Sequence, residues 1–135
     1  MTPSHEEAHR FLELARADLD AFRVLAANAD IRPAIALFHA QQAAEKSLKA
    51  VLFIKGLEFR RTHDLFELAE KLGQAGVALD FSSAVLARLN PYAVSFRYDS
   101  ECADLLPLNE GERIAAGVIA WAELVIADAT SAGGP

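Results

Sequence analysis

The clearest pattern of hydrophobic and polar positions runs from Arg32 to Lys55 and has the spacing of an α-helix. Pro33 favours the first turn of a helix, nothing interrupts the run before Gly56, and the interior is rich in strong helix formers. One side of this predicted helix is apolar and consists of Leu37, Ala40, Ala44, Leu48 and Val51. An adjacent side carries only the small residues Ala36, Ala43, Ser47 and Ala50. The small side lets another backbone approach closely, so we predict a long helix with close neighbours.

A third stripe of the same helix carries polar side chains between two large apolar ones. Its members are Ile35, His39, Gln42, Lys46, Lys49 and Phe53, with Glu45 on its border. A solvent-facing stripe is not usually bracketed by Ile and Phe, so we predict that these polar groups line a cleft or an interface. The alternative is that the Gln and Lys side chains are solvated and that His39 is a core histidine bonded to a backbone carbonyl.

An amphipathic stretch also precedes this helix. Ser4 and Glu7 have the spacing of a capping box, which predicts a helix from near Ser4 to about Asn28. The predicted buried stripe is Leu12, Ala15, Leu19, Phe22 and Ala26, and the outer positions are Glu13, Arg16, Asp18, Asp20 and Arg23. The short link at 29–32 permits only an antiparallel hairpin between the two long helices.

Three further N-terminal capping signals follow in order: Asp64 with Glu67, Ser82 or Ser83, and Asn109 with Glu112. The helices that they open are predicted to end at Gly73, about Leu89 and about Thr130. Residues 91–108 have no clear period, and a loop of that length is commonly functional or mobile. The predicted fold class is all-α, an up-and-down antiparallel helical bundle of three long helices plus one or two short ones. We expect one domain over residues 1–130 and a disordered tail at 131–135.

Composition indicates which partners and which cellular compartment to expect for this protein. A formal charge of −6 argues against a broad basic surface for DNA, because neutralising phosphates needs many clustered Lys and Arg. The single cysteine, Cys102, permits no internal disulfide and no thiolate zinc site, which fits a reducing cytoplasm. The first ten residues lack the features of a signal peptide, and no apolar run approaches the ~20 residues that span a bilayer. We therefore expect a cytoplasmic protein that does not contact DNA or membranes.

One metal motif occurs by spacing alone. His5-Glu6-Glu7-Ala8-His9 matches H-E-x-x-H, which on a helix directs two imidazoles at zinc with the Glu as base. No third ligand follows at a characteristic spacing, and a first helical turn supplies a poor second shell, so we reject a zinc site. No phosphate-binding glycine loop and no serine-hydrolase elbow occurs, and we expect no cofactor.

The remaining chemistry lies in single side chains: His39, Lys46, Lys49, His63, Arg97 and Tyr98. Cleavage of RNA needs a base for the 2′-hydroxyl proton, an acid for the leaving oxygen and cations for the charge on phosphate. His with Arg or Lys meets those needs near neutral pH without a metal. This composition indicates a possible metal-independent ribonuclease, provided that the groups converge.

Four segments carry a resemblance to a known family: A-R-A-D-L at 15–19, F-H-A-Q-Q-A-A-E-K-S-L-K-A at 38–50, R-T-H-D-L at 61–65 and F-R-Y-D at 96–99. Their order and spacing resemble those of HEPN domains over nearly the whole chain. The resemblance implies a helical bundle that dimerises with the second long helix near the two-fold axis. Many members resemble RNA-cleaving toxins encoded beside a minimal nucleotidyltransferase antitoxin, and others are thought to bind nucleotides. Ribonuclease members carry an Arg followed after four to six residues by His, a spacing that only Arg32 and His39 match here.

The resemblance also implies a site. His39, Gln42, Glu45, Lys46 and Lys49 are expected in the groove of a homodimer, with His63 at its mouth and Arg97 and Tyr98 folded over it. The Tyr98 hydroxyl is then a group that a partner nucleotidyltransferase could modify. Two functions follow from this. The first is an RNA-cleaving toxin, with His39 or His63 as base and with Arg97 and Lys46 on phosphate. The second is a non-catalytic module that binds a nucleotide or the nucleotidyltransferase.

Overall fold

The computed structural model of the protein describes residues 3–97 and 105–132, which form helices and connecting segments with no strand among them. The five α-helices, in chain order, are α1 Pro3–Ala26, α2 Pro33–Ile54, α3 Leu65–Gln74, α4 Ser83–Ala87 and α5 Leu108–Ala132. A 3₁₀ segment, Asn90–Arg97, follows α4. The predicted all-α bundle of three long and two short helices is therefore confirmed.

Helix α2 lies at the centre of the bundle and contacts α1, α3, α5 and the 3₁₀ segment. Pro33 is its first residue, and Gly56 adopts the left-handed conformation (φ +66°) just beyond its end. Leu57 N donates to Leu52 O at 2.9 Å, which satisfies one of the last carbonyl groups of the helix. Both the predicted apolar side and the predicted small side are fully buried. Because α2 is surrounded on most sides, polar side chains on it must find partners inside the protein.

Helix α1 packs antiparallel against α2 and buries most of the predicted stripe, namely Leu12, Ala15, Leu19 and Phe22. Its start differs from the prediction, because Ser4 lies inside the helix rather than at its N-cap. Glu7 instead accepts two hydrogen bonds from Arg10 at 2.9 Å. Asp18 also differs, since it was predicted on the outside and its side chain is only 12% exposed.

Helix α5 runs antiparallel to α1. Two ion pairs show this direction: Arg16 pairs with Glu123 at 2.6 Å, and Arg23, later on α1, pairs with Glu112, earlier on α5, at 2.8 Å. The second pair overturns the predicted capping box at Asn109, since the carboxylate of Glu112 reaches across to the guanidinium of α1. Asn109 accordingly lies within the helix, whose first turn bonds to Pro107 O.

Residues 108–131 of α5 are long and apolar enough to cross a membrane by length and composition, with a mean hydropathy of 1.5. This corrects the expectation that no segment of the chain approaches that length. In the bundle this helix buries Ile114, Val118 and Ile126 against its neighbours.

The connection from α2 to α5 carries the short helices. Asp64 caps α3 by accepting from Phe66 N at 3.0 Å, as predicted, but Asp64 N donates to Thr62 Oγ1 rather than to Glu67. Helix α3 continues through Gly73, and the left-handed residue that follows it is Gly76 (φ +82°).

Further contacts fix this connection to the bundle. Ser82 caps α4 through Val85 N at 3.1 Å. Trp121 Nε1 of α5 donates to Ala78 O at 2.8 Å. The helix α5 ends at Ala132, two residues beyond the predicted end, and the last three residues of the chain lie outside the described part.

Candidate functional site

Two sets of polar side chains lie along α2, and each consists of a histidine, a carboxylate and a lysine. In the first set, which we call the Asp18 set, His39 Nδ1 lies 2.9 Å from Asp18 Oδ1. Lys46 Nζ donates to the other oxygen, Asp18 Oδ2, at 2.5 Å. Asp18 comes from α1, whereas His39 and Lys46 lie seven residues apart on one side of α2. The set therefore joins the two helices of the hairpin, α1 and α2.

The partners of the His39 ring determine its tautomer. An ionised carboxylate only accepts hydrogen bonds, so Nδ1 must carry the hydrogen in the contact with Asp18. In the neutral imidazole Nε2 is then the nitrogen with a free lone pair. Within residues 3–97 and 105–132 Nε2 has no hydrogen-bond partner, and the side chain remains 28% exposed. Nε2 of this imidazole can therefore accept a proton from a group in the solvent.

The second set, which we call the Glu45 set, has the same bonding pattern. His63 Nδ1 lies 2.9 Å from Glu45 Oε1, and Lys49 Nζ donates to Glu45 Oε2 at 2.9 Å. The fully buried amide of Gln41 adds a donor at 3.1 Å from Glu45 Oε1. The carboxylate is only 5% exposed, whereas the imidazole of His63 is 63% exposed. In this set the carboxylate is therefore buried, whereas the histidine faces solvent.

The helical repeat explains how the Glu45 set forms. Gln41, Glu45 and Lys49 are spaced four residues apart, so their side chains succeed one another along one face of α2. His63 is brought to that face by the loop that precedes α3, and Gln41 Nε2 also donates to His63 O at 3.1 Å. The next residue, Asp64, is held by Asn90 Nδ2 at 2.8 Å. The loop is thus fixed on both sides of the histidine.

The structure places the other predicted site residues as follows. Gln42 is half-buried and donates to Gln41 Oε1 at 2.7 Å. Arg97 ends the 3₁₀ segment, with its side chain outside the described part of the protein, and Tyr98 is itself outside the described residues. Arg32, the residue before Pro33, occupies the N-cap position of α2.

The predicted residues therefore form two groups. Asp18 contacts both His39 and Lys46, and Glu45 contacts both His63 and Lys49. No hydrogen bond joins the two groups among the described residues. The solvated alternative does not hold for Lys49, whose side chain is buried within the subunit.

Two members of these sets, Asp18 and Gln41, are not among the predicted site residues. Asp18 lies three residues after Ala15 and four before Phe22, both of which are buried, so helical spacing puts it at the edge of the buried stripe. An acidic residue at such an edge was the available signal. Gln41 had a similar signal, because it stands four residues before Glu45 on a helix.

No group of three or more His, Cys, Asp or Glu side chains that could hold a metal occurs within the part of the chain that the structure describes. The H-E-x-x-H residues lie in the first turns of α1, where Glu7 is paired with Arg10. The two carboxylate-bound imidazoles are thus the candidates for proton transfer.

Fold and site together define an all-α protein in which two carboxylate-bound histidines lie against a central helix, one on that helix and one on the loop before α3. The family model of the HEPN domain matches residues 8–130. The chain belongs to the HEPN family, which confirms the resemblance found in the sequence. Comparison with curated proteins and with solved structures finds no match.

Proposed function

We propose that the protein is a metal-independent ribonuclease that acts as the toxin of a toxin–antitoxin pair in the cytoplasm, with a minimal nucleotidyltransferase as antitoxin. One observation carries the catalytic part of this proposal. His39 holds a carboxylate on Nδ1 at 2.9 Å and keeps Nε2 without a partner among the described residues. A histidine held on one nitrogen and open on the other has the geometry of a general base. Membership of the HEPN family supports the toxin role.

In the proposed reaction His39 Nε2 takes the proton of an RNA 2′-hydroxyl while that oxygen bonds to the adjacent phosphorus. The bond from phosphorus to the 5′ oxygen then breaks, and this oxygen takes a proton from the imidazolium of His63. Glu45 orients that ring through the 2.9 Å contact with His63 Nδ1. Arg97 is the proposed cation for the phosphate charge. The products are a 2′,3′-cyclic phosphate and a 5′-hydroxyl, so atoms and charges balance without an oxidant.

The test of the reaction is cleavage of a short fluorescent single-stranded RNA by the purified protein in EDTA. We expect cleavage with a 2′,3′-cyclic phosphate end, detected by mass spectrometry. His39→Ala should lower the rate by about 100-fold or more, the range in which a positioned base contributes. His9→Ala is the matched control, since His9 is exposed on α1 and should leave the rate unchanged. An inactive wild type, or a His39→Ala variant as fast as wild type, would contradict the proposal.

We also infer a homodimer in which the partly exposed edge of α2, at Phe38, His39 and Gln42, lies near the two-fold axis. One helical turn before Asp18, α1 leaves the large apolar side chain of Leu14 exposed, which favours burial against a partner. Leu14→Glu should therefore weaken self-association in sedimentation analysis, whereas Leu124→Glu, an exposed leucine on α5, should not. A monomeric wild type, or equal effects of both variants, would count against this arrangement.

A second candidate function follows from the charges of the site. Both lysines of α2 are already paired with carboxylates, and the formal charge of −6 attracts RNA poorly. These features favour a HEPN module that binds a nucleotide or a partner nucleotidyltransferase without cleaving RNA. Expression in cells separates the two functions. Growth arrest that His39→Ala abolishes supports the ribonuclease, and normal growth together with calorimetric binding of ATP supports the binding module.

A further inference from the structure

Both oxygens of the Asp18 carboxylate are engaged, one by His39 and the other by Lys46. We propose that Asp18 and Lys46 are positioning residues that hold His39 in the tautomer with hydrogen on Nδ1, and that Lys46 acts through Asp18 rather than on substrate phosphate. This inference rests on the proposed role of His39 as the base. It replaces the expectation that Lys46 is a phosphate ligand.

The geometry supports a positioning role for Asp18. Its side chain lies at the edge of the core, where Ala15 and Phe22 on α1 are buried, so the carboxylate has little freedom to turn away. Its oxygens meet two groups of different character: the imidazole of His39 can donate or accept, whereas the ammonium of Lys46 can only donate. Lys46 therefore requires an acceptor in front of it under all conditions in which it is charged.

The bond from Lys46 to Asp18, at 2.5 Å, also argues against a role for this lysine on phosphate. The ammonium is partly buried beside a carboxylate, so contact with a phosphate would first require breaking that charge-assisted bond. A lysine that holds substrate should affect KM when it is replaced. One that holds Asp18 should affect kcat, because it acts on the orientation of the base.

The pairing makes a specific prediction for Asp18→Asn. The asparagine amide has one accepting oxygen and one donating nitrogen, and the oxygen must face the ammonium of Lys46. The amide nitrogen then faces His39 and donates to Nδ1. Nδ1 becomes the acceptor and the hydrogen moves to Nε2, where no lone pair remains to take a proton. Removing the ammonium as well, in Asp18→Asn with Lys46→Met, lets the amide turn over and restores the original tautomer in part of the molecules.

The experiment is ¹⁵N NMR of histidine-labelled protein at a pH where imidazoles are neutral, since the two ring nitrogens have distinct shifts in each tautomer. The chain has four histidines, and His39→Gln assigns the signals. We expect hydrogen on Nδ1 in wild type, on Nε2 in Asp18→Asn and a mixture in the double variant. The control is Asp20→Asn, an exposed position two residues along α1, which should match wild type.

Kinetics with the RNA substrate supply a second readout. Asp18→Asn should lower kcat by ~100-fold or more, as expected for a base held in the wrong tautomer. Lys46→Met should lower kcat with KM nearly unchanged.

Each possible outcome supports or contradicts either the positioning role of Asp18 and Lys46 or the ribonuclease proposal. Hydrogen on Nε2 of His39 in wild type overturns the inference even if no variant folds, and so does an unchanged tautomer in Asp18→Asn. A rise in KM at constant kcat in Lys46→Met would instead show that this lysine binds the substrate phosphate. If the tautomers behave as expected but wild type cleaves no RNA, the positioning pair stands and the ribonuclease proposal falls.

Discussion

The Asp18 set and the Glu45 set contain the same three kinds of side chain and the same 2.9 Å contact between histidine and carboxylate, yet water reaches them differently. In the Asp18 set all three side chains are partly exposed and the histidine lies on α2 itself. In the Glu45 set the carboxylate and Lys49 are buried, and only the histidine, which comes from a loop, lies in solvent. Similar hydrogen-bond patterns can therefore have different functions. In the proposed reaction both histidines transfer protons, and the buried carboxylate and lysine of the Glu45 set also hold the loop before α3 against the central helix.

The energetic reason for the difference is desolvation. Removing a carboxylate from water costs several kcal/mol of free energy unless hydrogen bonds and an opposite charge replace the lost hydration. Glu45 receives that replacement from Lys49, His63 and Gln41. Each of these partners in turn depends on Glu45, so the set acts as one unit. Asp18 still has access to water, which limits what the loss of a partner costs there.

The largest expected effect tests this contrast directly. Glu45→Ala leaves the ammonium of Lys49 buried without its carboxylate and should lower the free energy of unfolding by about 3–5 kcal/mol. Asp18→Ala should cost about 1–2 kcal/mol, because water can reach the groups that it leaves behind. Urea denaturation followed by far-ultraviolet circular dichroism measures both. Equal losses in the two variants would mean that burial does not separate the sets.

A smaller effect is expected from the histidine of the buried set. His63→Ala removes a mostly exposed ring, so global stability should change by less than ~1 kcal/mol. Local opening should increase, because one of the bonds that hold the loop to α2 is lost. Hydrogen exchange of the amides at 56–64 should rise several-fold while exchange in α2 stays unchanged. His9→Ala is the control, and a loop as protected as in wild type would show that Gln41 and Asp64 hold it alone.

The smallest effect is expected at a surface ion pair, which gives the baseline for both sets. On α5 a hydrogen bond from Arg113 keeps the pKa of Glu110 below its ordinary value. A carboxyl whose folded pKa is lowered stabilises the protein above its unfolded pKa, and this contribution disappears as pH falls through the folded value. The melting temperature of Glu110→Gln should thus lie slightly below that of wild type at pH 6 and converge with it in acid.

Glu58→Gln, at an exposed glutamate without an ion pair among the described residues, should show no such convergence. A pH-independent difference between Glu110→Gln and wild type would contradict the assignment of this effect to the pair with Arg113.

Features set by neighbouring residues in the chain could be predicted from the sequence. Pro33 and Gly56 mark the start and end of α2, and Asp64 and Ser82 cap the helices that follow them. The polar stripe of α2 was found because its members share one helix. Local signals failed where a distant partner offered a better contact, as when Glu112 bonded Arg23 rather than capping α5.

The candidate site was only half predictable for the same reason. Helical spacing groups His39 with Lys46 and Glu45 with Lys49, but it does not show which carboxylate or loop approaches them. Asp18 reaches His39 only because α1 folds back on α2, and His63 reaches Glu45 only because the loop before α3 does so. The tautomer of each ring depends on those tertiary contacts, so no pattern in the sequence contains it.

The bond between the indole of Trp121 and Ala78 O has a practical consequence. This is the only tryptophan in the chain, and it joins α5 to the turn between α3 and α4. Its fluorescence therefore reports on one junction of the molecule, far along the chain from both histidine sets. Stopped-flow emission can show whether that junction closes before or after the helices have formed, without any added dye.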